Sequence, residues 1–233
     1  MSPTLTSGVS LRRVAEIVRN AILFGPDAWE GSLVLRERSS STQNLLPTDA
    51  DVVELFTLLA ARRIAYLLVG GIAMLRYVEG RNTEDINFLM SAPSLERIPE
   101  IVLEGKNEYF ARGRFRSLRV DILLTANALF AETQQSFGTT HRFAEVEVPT
   151  ATPEGLVLLK LYALPSLYRQ GLLGRVAIYE SNITGLIGLH HIPVAPLLAR
   201  LGRHILPSDL REPQNIVNEI ASKIARVEKL KGI

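Results

Sequence analysis

The order of the apolar segments predicts an α/β fold, in which a mixed β-sheet is backed by helices and followed by a helical C-terminal region. Between Ala65 and Val148, short apolar runs of strand length alternate with segments of helical periodicity. After Pro149, apolar residues recur at helical spacing only. Alternating strands and helices that give way to helices alone are typical of a mixed sheet joined to a helical part.

Strands are expected at four short apolar runs, namely Ala65–Val69, Asp85–Met90, Leu118–Leu124 and Phe143–Val148. A helix capped by Thr48 or Asp49 is expected through Leu59. Further helices of the sheet region are expected at Gly71–Val78, Ser94–Leu103 and Asn127–Gln134. The C-terminal helices are expected at Pro153–Leu164 (with Thr152 as N-cap), Val176–Gly188, Ala195–Leu201 and Pro213–Lys229. The core therefore spans residues 48–150 and the helical region 151–233.

The first 47 residues are predicted to form one helix and a linker. Apolar residues at helical spacing cover Val9–Leu23, and a Gly-Pro-Asp sequence follows them. Arg38–Pro47, which contains four consecutive hydroxyl residues, is typical of a linker.

Composition excludes several kinds of site. The 233 residues are 47% hydrophobic and 21% charged, which are ordinary globular values. The absence of cysteine excludes disulfides, zinc-thiolate sites and a thiol nucleophile. A net charge of +2 does not by itself indicate a nucleic-acid partner. The longest uncharged stretch, Ser181–Ala199, contains two prolines and two histidines, so we expect a cytoplasmic protein with no membrane partner.

Polar residues at the start of one predicted strand form the first candidate site. Asp85 and Asn87 are two residues apart, so both side chains leave the same face of the strand. Thirteen residues separate them from Gly70-Gly71, at a predicted strand-to-helix turn. Glycines let a ligand approach the backbone, and the following helix N-terminus offers N–H groups to phosphate. An edge strand facing solvent, after a tight turn that binds nothing, is the alternative interpretation.

Asp121 is a second candidate, because it interrupts the apolar run Leu118–Leu124. A buried carboxylate there requires a cation, a metal ion or open water. The structural alternative is a salt bridge to Arg119 or Arg116. Together with Arg112 and Arg114, these arginines form a basic cluster that could bind phosphates or be solvated.

The segment Tyr66–Met90 resembles the signature of polymerase-β-like nucleotidyltransferases. The similarity is to the GG-x-A…R-x-T-x-D-I-D form found in small bacterial nucleotidyltransferases, which include toxin–antitoxin components. Across the chain it covers roughly Val52–Ile187. Asn87 stands where the family has its second aspartate, and Asn182 stands where a later aspartate is expected.

The resemblance implies Mg²⁺-dependent transfer of a nucleoside monophosphate from a nucleoside triphosphate to a hydroxyl of a protein, an RNA or a small molecule. It implies that the catalytic and metal-binding residues are Asp85, Asn87 and Asp121. It implies that the nucleotide-binding residues are Gly70, Gly71, Arg81, Thr83 and Lys160. Lys160 is also explained as a snorkelling lysine in an apolar helix.

Two functions follow from these patterns. The first is a nucleotidyltransferase, impaired by the missing charge at position 87. The second is an inactive binding module of the same fold, acting as an antitoxin-like, regulatory or scaffold subunit. The apolar stripe of the last predicted helix packs on this chain, on a second copy or on a partner protein.

Overall fold

The computed structural model describes residues 16–17, 48–78, 83, 85–143 and 146–231. It divides into two compact units. The first contains the described residues up to Gln134 together with Gly138–Thr150, and the second contains Gln135–Phe137 and the residues from Ala151 onward. Residues 16–17 are helical; the rest of the predicted N-terminal helix and linker lies outside the described residues, as does Arg81.

The first unit contains a mixed sheet of seven strands in the order β3-β4-β5-β2-β1-β7-β6. The strands are β1 (Tyr66–Val69), β2 (Asp85–Met90), β3 (Ile101–Lys106), β4 (Phe110–Phe115), β5 (Leu118–Leu124), β6 (Gly138–Phe143) and β7 (Val146–Ala151). β2 pairs antiparallel with β1 and parallel with β5. Because β2 lies inside the sheet, the alternative of a solvent-facing edge strand is wrong.

Four helices are described with this sheet: α1 (Asp49–Ala61), α2 (Gly70–Met74), α3 (Ala92–Glu96) and α4 (Ala128–Ser136). Thr48, one of the two predicted candidates, is the N-cap of α1. The Thr48 hydroxyl accepts the Asp51 N–H at 3.2 Å, and the Asp51 carboxylate accepts the Thr48 N–H at 3.0 Å. This reciprocal pair satisfies two backbone donors that a helix leaves free at its start.

The core beneath β2 is aromatic. Phe88 is fully buried, and its ring meets those of Phe56 and Tyr66 edge-on, with centroids 5.9 Å and 5.3 Å apart. Ile86 and Met90 are buried on the same face of β2, as the alternation of the strand predicts. That face anchors the strand, which leaves the opposite face to position Asp85 and Asn87.

The predicted helix Ser94–Leu103 is wrong. α3 ends at Glu96, and the chain then enters β3 at Ile101. Pro99 lies between them; it has no N–H to donate and disfavours a helical residue before it. β4 was missed because its inward positions include Ala111 and Gly113, and small residues give little apolar alternation.

The second unit is helical, with α5 (Pro153–Arg169), α6 (Leu173–His190), α7 (Val194–Leu201) and α8 (Pro207–Lys231). Thr152 is the N-cap of α5, as predicted, and accepts the Gly155 N–H at 3.4 Å. α8 begins six residues before the expected start, so Pro213 lies inside it rather than at its first turn. Within the described part of the chain, no helix is long and apolar enough to cross a membrane.

Candidate functional site

The register of two central strands brings the candidate acids together. In the parallel pair β2–β5, Asn87 lies opposite Asp121 and Asp85 lies opposite Arg119. Residues opposite each other in a sheet project from the same face, and so do residues two apart on one strand. Asp85 lies diagonally across from Asp121 in this register, two residues before Asn87. Asp85, Asn87 and Asp121 therefore share one face of the sheet interior.

Arg112 completes this group from the next strand. It lies opposite Asp121 in the antiparallel pair β4–β5, and its guanidinium binds both carboxylate oxygens. Arg112 Nε donates to Oδ1 at 2.7 Å and Nη2 donates to Oδ2 at 3.0 Å. This fork-to-carboxylate geometry is the strongest form of the arginine–acid pair. The structural alternative for Asp121 was a salt bridge to Arg119 or Arg116. The salt bridge that the structure shows is with Arg112, and Arg116 pairs with acids of α1.

The environment of Asp121 favours its ionised form. Burial raises the pKa of this carboxyl group, but the hydrogen bonds and charge of Arg112, a hydrogen bond with Asp85 and the charge of Arg119 lower it. The net effect holds the pKa of Asp121 below its ordinary value. The Asp121 side chain is 23% exposed and that of Arg112 is 52% exposed, so solvent reaches the pair from the arginine side.

Thr83 orients Asp85. Its hydroxyl donates to Asp85 Oδ1 at 2.9 Å and lies 3.2 Å from the backbone oxygen of the same residue. The Thr83 side chain also packs directly over the α-carbon of Gly71, where any Cβ would overlap the threonine hydroxyl. Gly71 is therefore required by the residue that positions Asp85.

Gly70 leaves space for the side chain of Asn87 in the same way. It has a φ of +69°, in the left-handed region that side chains disfavour. A Cβ on Gly70 would lie 2.6 Å from Asn87 Cγ. The two glycines thus make room for the polar side chains of the site itself. In this structure the space over their α-carbons is filled by Asn87 and Thr83.

Lys160 belongs to the second unit and is 8% exposed. Its Nζ lies 4.4 Å from the centroid of the Tyr179 ring, a cation–π contact between α5 and α6. One turn after Tyr179, Asn182 is buried, and its Oδ1 has no hydrogen-bond partner among the described residues. The structure thus places polar groups in a second, helical environment, where one acceptor is unsatisfied.

The donor atoms on this face of the sheet are mostly oxygens. Two carboxylates and one amide offer oxygen ligands, which Mg²⁺ prefers. Among the described residues, no group of three or more acidic, histidine or cysteine side chains could hold a metal ion. An aspartate at position 87 would add a third carboxylate to the face that carries Asp85 and Asp121.

Sequence reasoning missed Arg112 as a partner of Asp121. It lies in the basic cluster, but the described contacts tie three members of that cluster to acids: Arg112 to Asp121, Arg114 to Glu104 and Arg116 to Glu54. The sequence does contain a signal for this pair, because Arg112 and Asp121 are spaced to face each other across a hairpin. That hairpin cannot be recognised from the sequence unless β4 is predicted as a strand. These pairings reduce the positive charge that the cluster offers to a nucleic acid.

Comparison with a solved structure identifies the fold. The chain is similar to the crystal structure of an antigenic nucleotidyltransferase-like protein from Paracoccidioides brasiliensis, with 17% sequence identity and a TM-score of 0.53. The similarity covers 81% of this chain and 94% of that one. The fold is nucleotidyltransferase-like. No protein-family model and no curated protein matches the sequence.

Proposed function

We propose that this protein is a magnesium-dependent nucleotidyltransferase with a weakened metal site, which moves a nucleoside monophosphate from a triphosphate to a hydroxyl acceptor. The observation that carries the proposal is the register of β2 and β5. It aligns Asn87 with Asp121 and puts Asp85 on the same face, diagonally across from Asp121. Such oxygen ligands on the interior strands of a nucleotidyltransferase-like sheet suit metal-assisted phosphoryl chemistry.

Each residue has a distinct part in this proposal. Asp85, held by Thr83, and Asp121 would bind the cation, and the Asn87 amide would add a neutral oxygen. A bound cation would neutralise charge that develops on the transferred phosphoryl group. Asp121 serves better as a ligand than as a general base, because the lowered pKa of its carboxyl group makes it a weak proton acceptor. The resemblance to small bacterial nucleotidyltransferases allows a hydroxyl of a protein, an RNA or a small molecule as the acceptor.

The decisive experiment replaces Asn87 with aspartate. Asn87→Asp preserves the side-chain shape that packs against Gly70 and restores one charge beside Asp121. We expect Mg²⁺-dependent incorporation of label from an α-³²P nucleoside triphosphate to rise on the order of tens-fold, because metal-held charge stabilisation amounts to several kcal/mol.

Asp85→Asn is the matched loss-of-charge control and should abolish incorporation in both backgrounds. Incorporation that is unchanged by Asn87→Asp and insensitive to Asp85→Asn would contradict the proposal. Thermal denaturation of each variant without metal separates a chemical effect from a folding defect.

A specific observation favours a second function, the inactive binding module. Arg112 already neutralises Asp121, and Asn87 contributes no charge, so Asp85 is the only carboxylate of the group without an arginine bonded to it in the described contacts. A binding module predicts that Mg²⁺ leaves the melting temperature unchanged in both the natural protein and Asn87→Asp. It also predicts that neither protein transfers label.

A further inference from the structure

The geometry of Arg112 points to control of the metal site by an internal cation. We propose that Arg112 acts as a latch: it occupies Asp121 as a built-in counter-cation and must release it before a divalent cation binds there. This inference rests on the metal site of the proposed function and names the residue that regulates it.

The first argument is occupancy. Both Asp121 oxygens accept N–H groups of the same guanidinium, Oδ1 from Nε and Oδ2 from Nη2. A divalent cation that shared these oxygens would be separated from the positive guanidinium by only one carboxylate oxygen. Like charges at that separation repel strongly at a partly buried site, where solvent screens them only in part. Cation binding and the bidentate pair therefore compete for Asp121.

The second argument is charge balance. Arg112 interacts electrostatically with both Asp121 and Asp85, and it adds one positive charge to the face that carries these two acids. Arg119, opposite Asp85, adds a further positive charge that acts on Asp121. With asparagine at position 87 the group is close to neutral without metal. A neutral group attracts a divalent cation weakly. The arginine thus already supplies part of the charge neutralisation that a bound cation would supply.

The third argument is freedom of movement. The Arg112 side chain is 52% exposed, whereas its strand neighbours Ala111 and Gly113 face the core. An exposed arginine can leave its partner without repacking the interior, because only solvent-facing contacts change. The latch can therefore open at small structural cost.

Arg114 provides a matched control. It lies two residues along β4 on the same face, is 48% exposed and also forms an ion pair, from its Nε to Glu104 at 2.6 Å. It lies opposite Arg119 rather than Asp121. Replacing either arginine with glutamine removes one positive charge from the same strand, but only Arg112→Gln releases Asp121.

The test measures Mn²⁺ binding, as a spectroscopic substitute for Mg²⁺, by electron paramagnetic resonance on the full chain without nucleotide. Arg112→Gln should bind Mn²⁺ on the order of tenfold more tightly than the natural protein, since a nearby like charge is removed. Arg112→Lys, which keeps the charge but loses the fork, should fall between them. Arg114→Gln should match the natural protein.

Three results would overturn the latch: no gain in Arg112→Gln, weaker binding in Arg112→Gln, or equal gains in both glutamine variants. A second measurement guards against a misfolded variant. In ¹⁵N-labelled natural protein, the Arg112 Nε–H resonance should shift as diamagnetic Mg²⁺ is added, while the Arg114 resonance stays unchanged. An Arg112 Nε–H resonance whose chemical shift is unchanged at saturating Mg²⁺ would also reject the latch.

These readouts are separate from nucleotidyl transfer. Tighter Mn²⁺ binding in Arg112→Gln, with no transfer by any variant, supports the latch and rejects the proposed function. Transfer by the Asn87→Asp variant, together with equal Mn²⁺ affinity in Arg112→Gln and the natural protein, supports the proposed function and rejects the latch.

Discussion

The two units treat their polar residues differently. In the first unit, five polar residues lie on strands or beside them, and we call them the sheet cluster: Thr83, Asp85, Asn87, Arg112 and Asp121. The described contacts of this cluster are made among its own residues or against glycines. In the second, the helical cluster of Lys160, Tyr179 and Asn182, a buried ammonium lies over a ring.

The helical cluster also leaves one buried amide oxygen, Asn182 Oδ1, without a partner in the described structure. An unsatisfied buried acceptor costs about 1–3 kcal/mol. The sheet cluster is therefore stabilised by its own contacts, whereas the burial of Asn182 is not explained by the stability of its unit.

The largest expected effect concerns the glycine beneath Asn87. Gly70→Ala should destabilise the protein by about 3 kcal/mol, measured by urea unfolding. A left-handed alanine costs roughly 1–2 kcal/mol, and overpacking typically adds 1–3 kcal/mol. The overlap with Asn87 Cγ at 2.6 Å supplies the second contribution.

A double variant separates these two contributions. Gly70→Ala combined with Asn87→Ala should recover the packing part and retain the backbone part. Gly174→Ala, where no atom lies within 4 Å of the added Cβ, should not destabilise the protein. A Gly70→Ala protein as stable as the natural one would show that Gly70 does not limit the site.

The intermediate effect tests the helical cluster. Asn182→Leu removes the unsatisfied Oδ1 and keeps a side chain of similar length in a buried position. We expect the free energy of unfolding to rise by about 1 kcal/mol, since the desolvation penalty disappears. Differential scanning calorimetry provides the measurement.

Thr133→Val is the contrasting control, because the buried Thr133 hydroxyl does have a partner, the Leu129 carbonyl at 2.8 Å. That variant should lose stability. A large loss of stability in Asn182→Leu would mean that the asparagine is satisfied in solution, and the contrast between the two clusters would fail.

The smallest effect is a pH dependence in the sheet cluster. The folded pKa of Asp121 lies below its unfolded value, so the pair with Arg112 stabilises the protein above pH about 4 and loses its effect as pH falls through the folded pKa. Arg112→Gln should therefore cost about 0.5–1 kcal/mol at pH 7, and the difference should vanish in acid.

Urea unfolding at several pH values measures this difference. Arg114→Gln, which breaks a pair whose two side chains are both about half exposed, should show a smaller loss at pH 7. A difference between the natural protein and Arg112→Gln that grows as pH falls would have the wrong sign for the ion pair.

Much of the fold could be predicted where apolar runs are continuous. The bounds of β2 and β5 agree with the predicted strands because both are buried in the sheet interior. β6 is not predicted because Gly138–Phe143 contains mostly polar residues. The predicted helix Ser94–Leu103 wrongly extends past Pro99 into the first residues of β3. Local pattern fails where pairing with a neighbour, rather than apolar content, maintains the strand.

For the candidate site, the spacing of Asp85 and Asn87 is enough to predict that they share a face, because side chains of a strand alternate with a period of two residues. It also indicated that the carboxylate at position 121 needs a partner, since burial of a charge is costly. The identity of that partner, Arg112, is visible only in the folded chain, and so is the filling of the space over the two glycines by Asn87 and Thr83. Those contacts depend on strand register and on which strands are neighbours, and residues distant in the chain meet only after the sheet has formed.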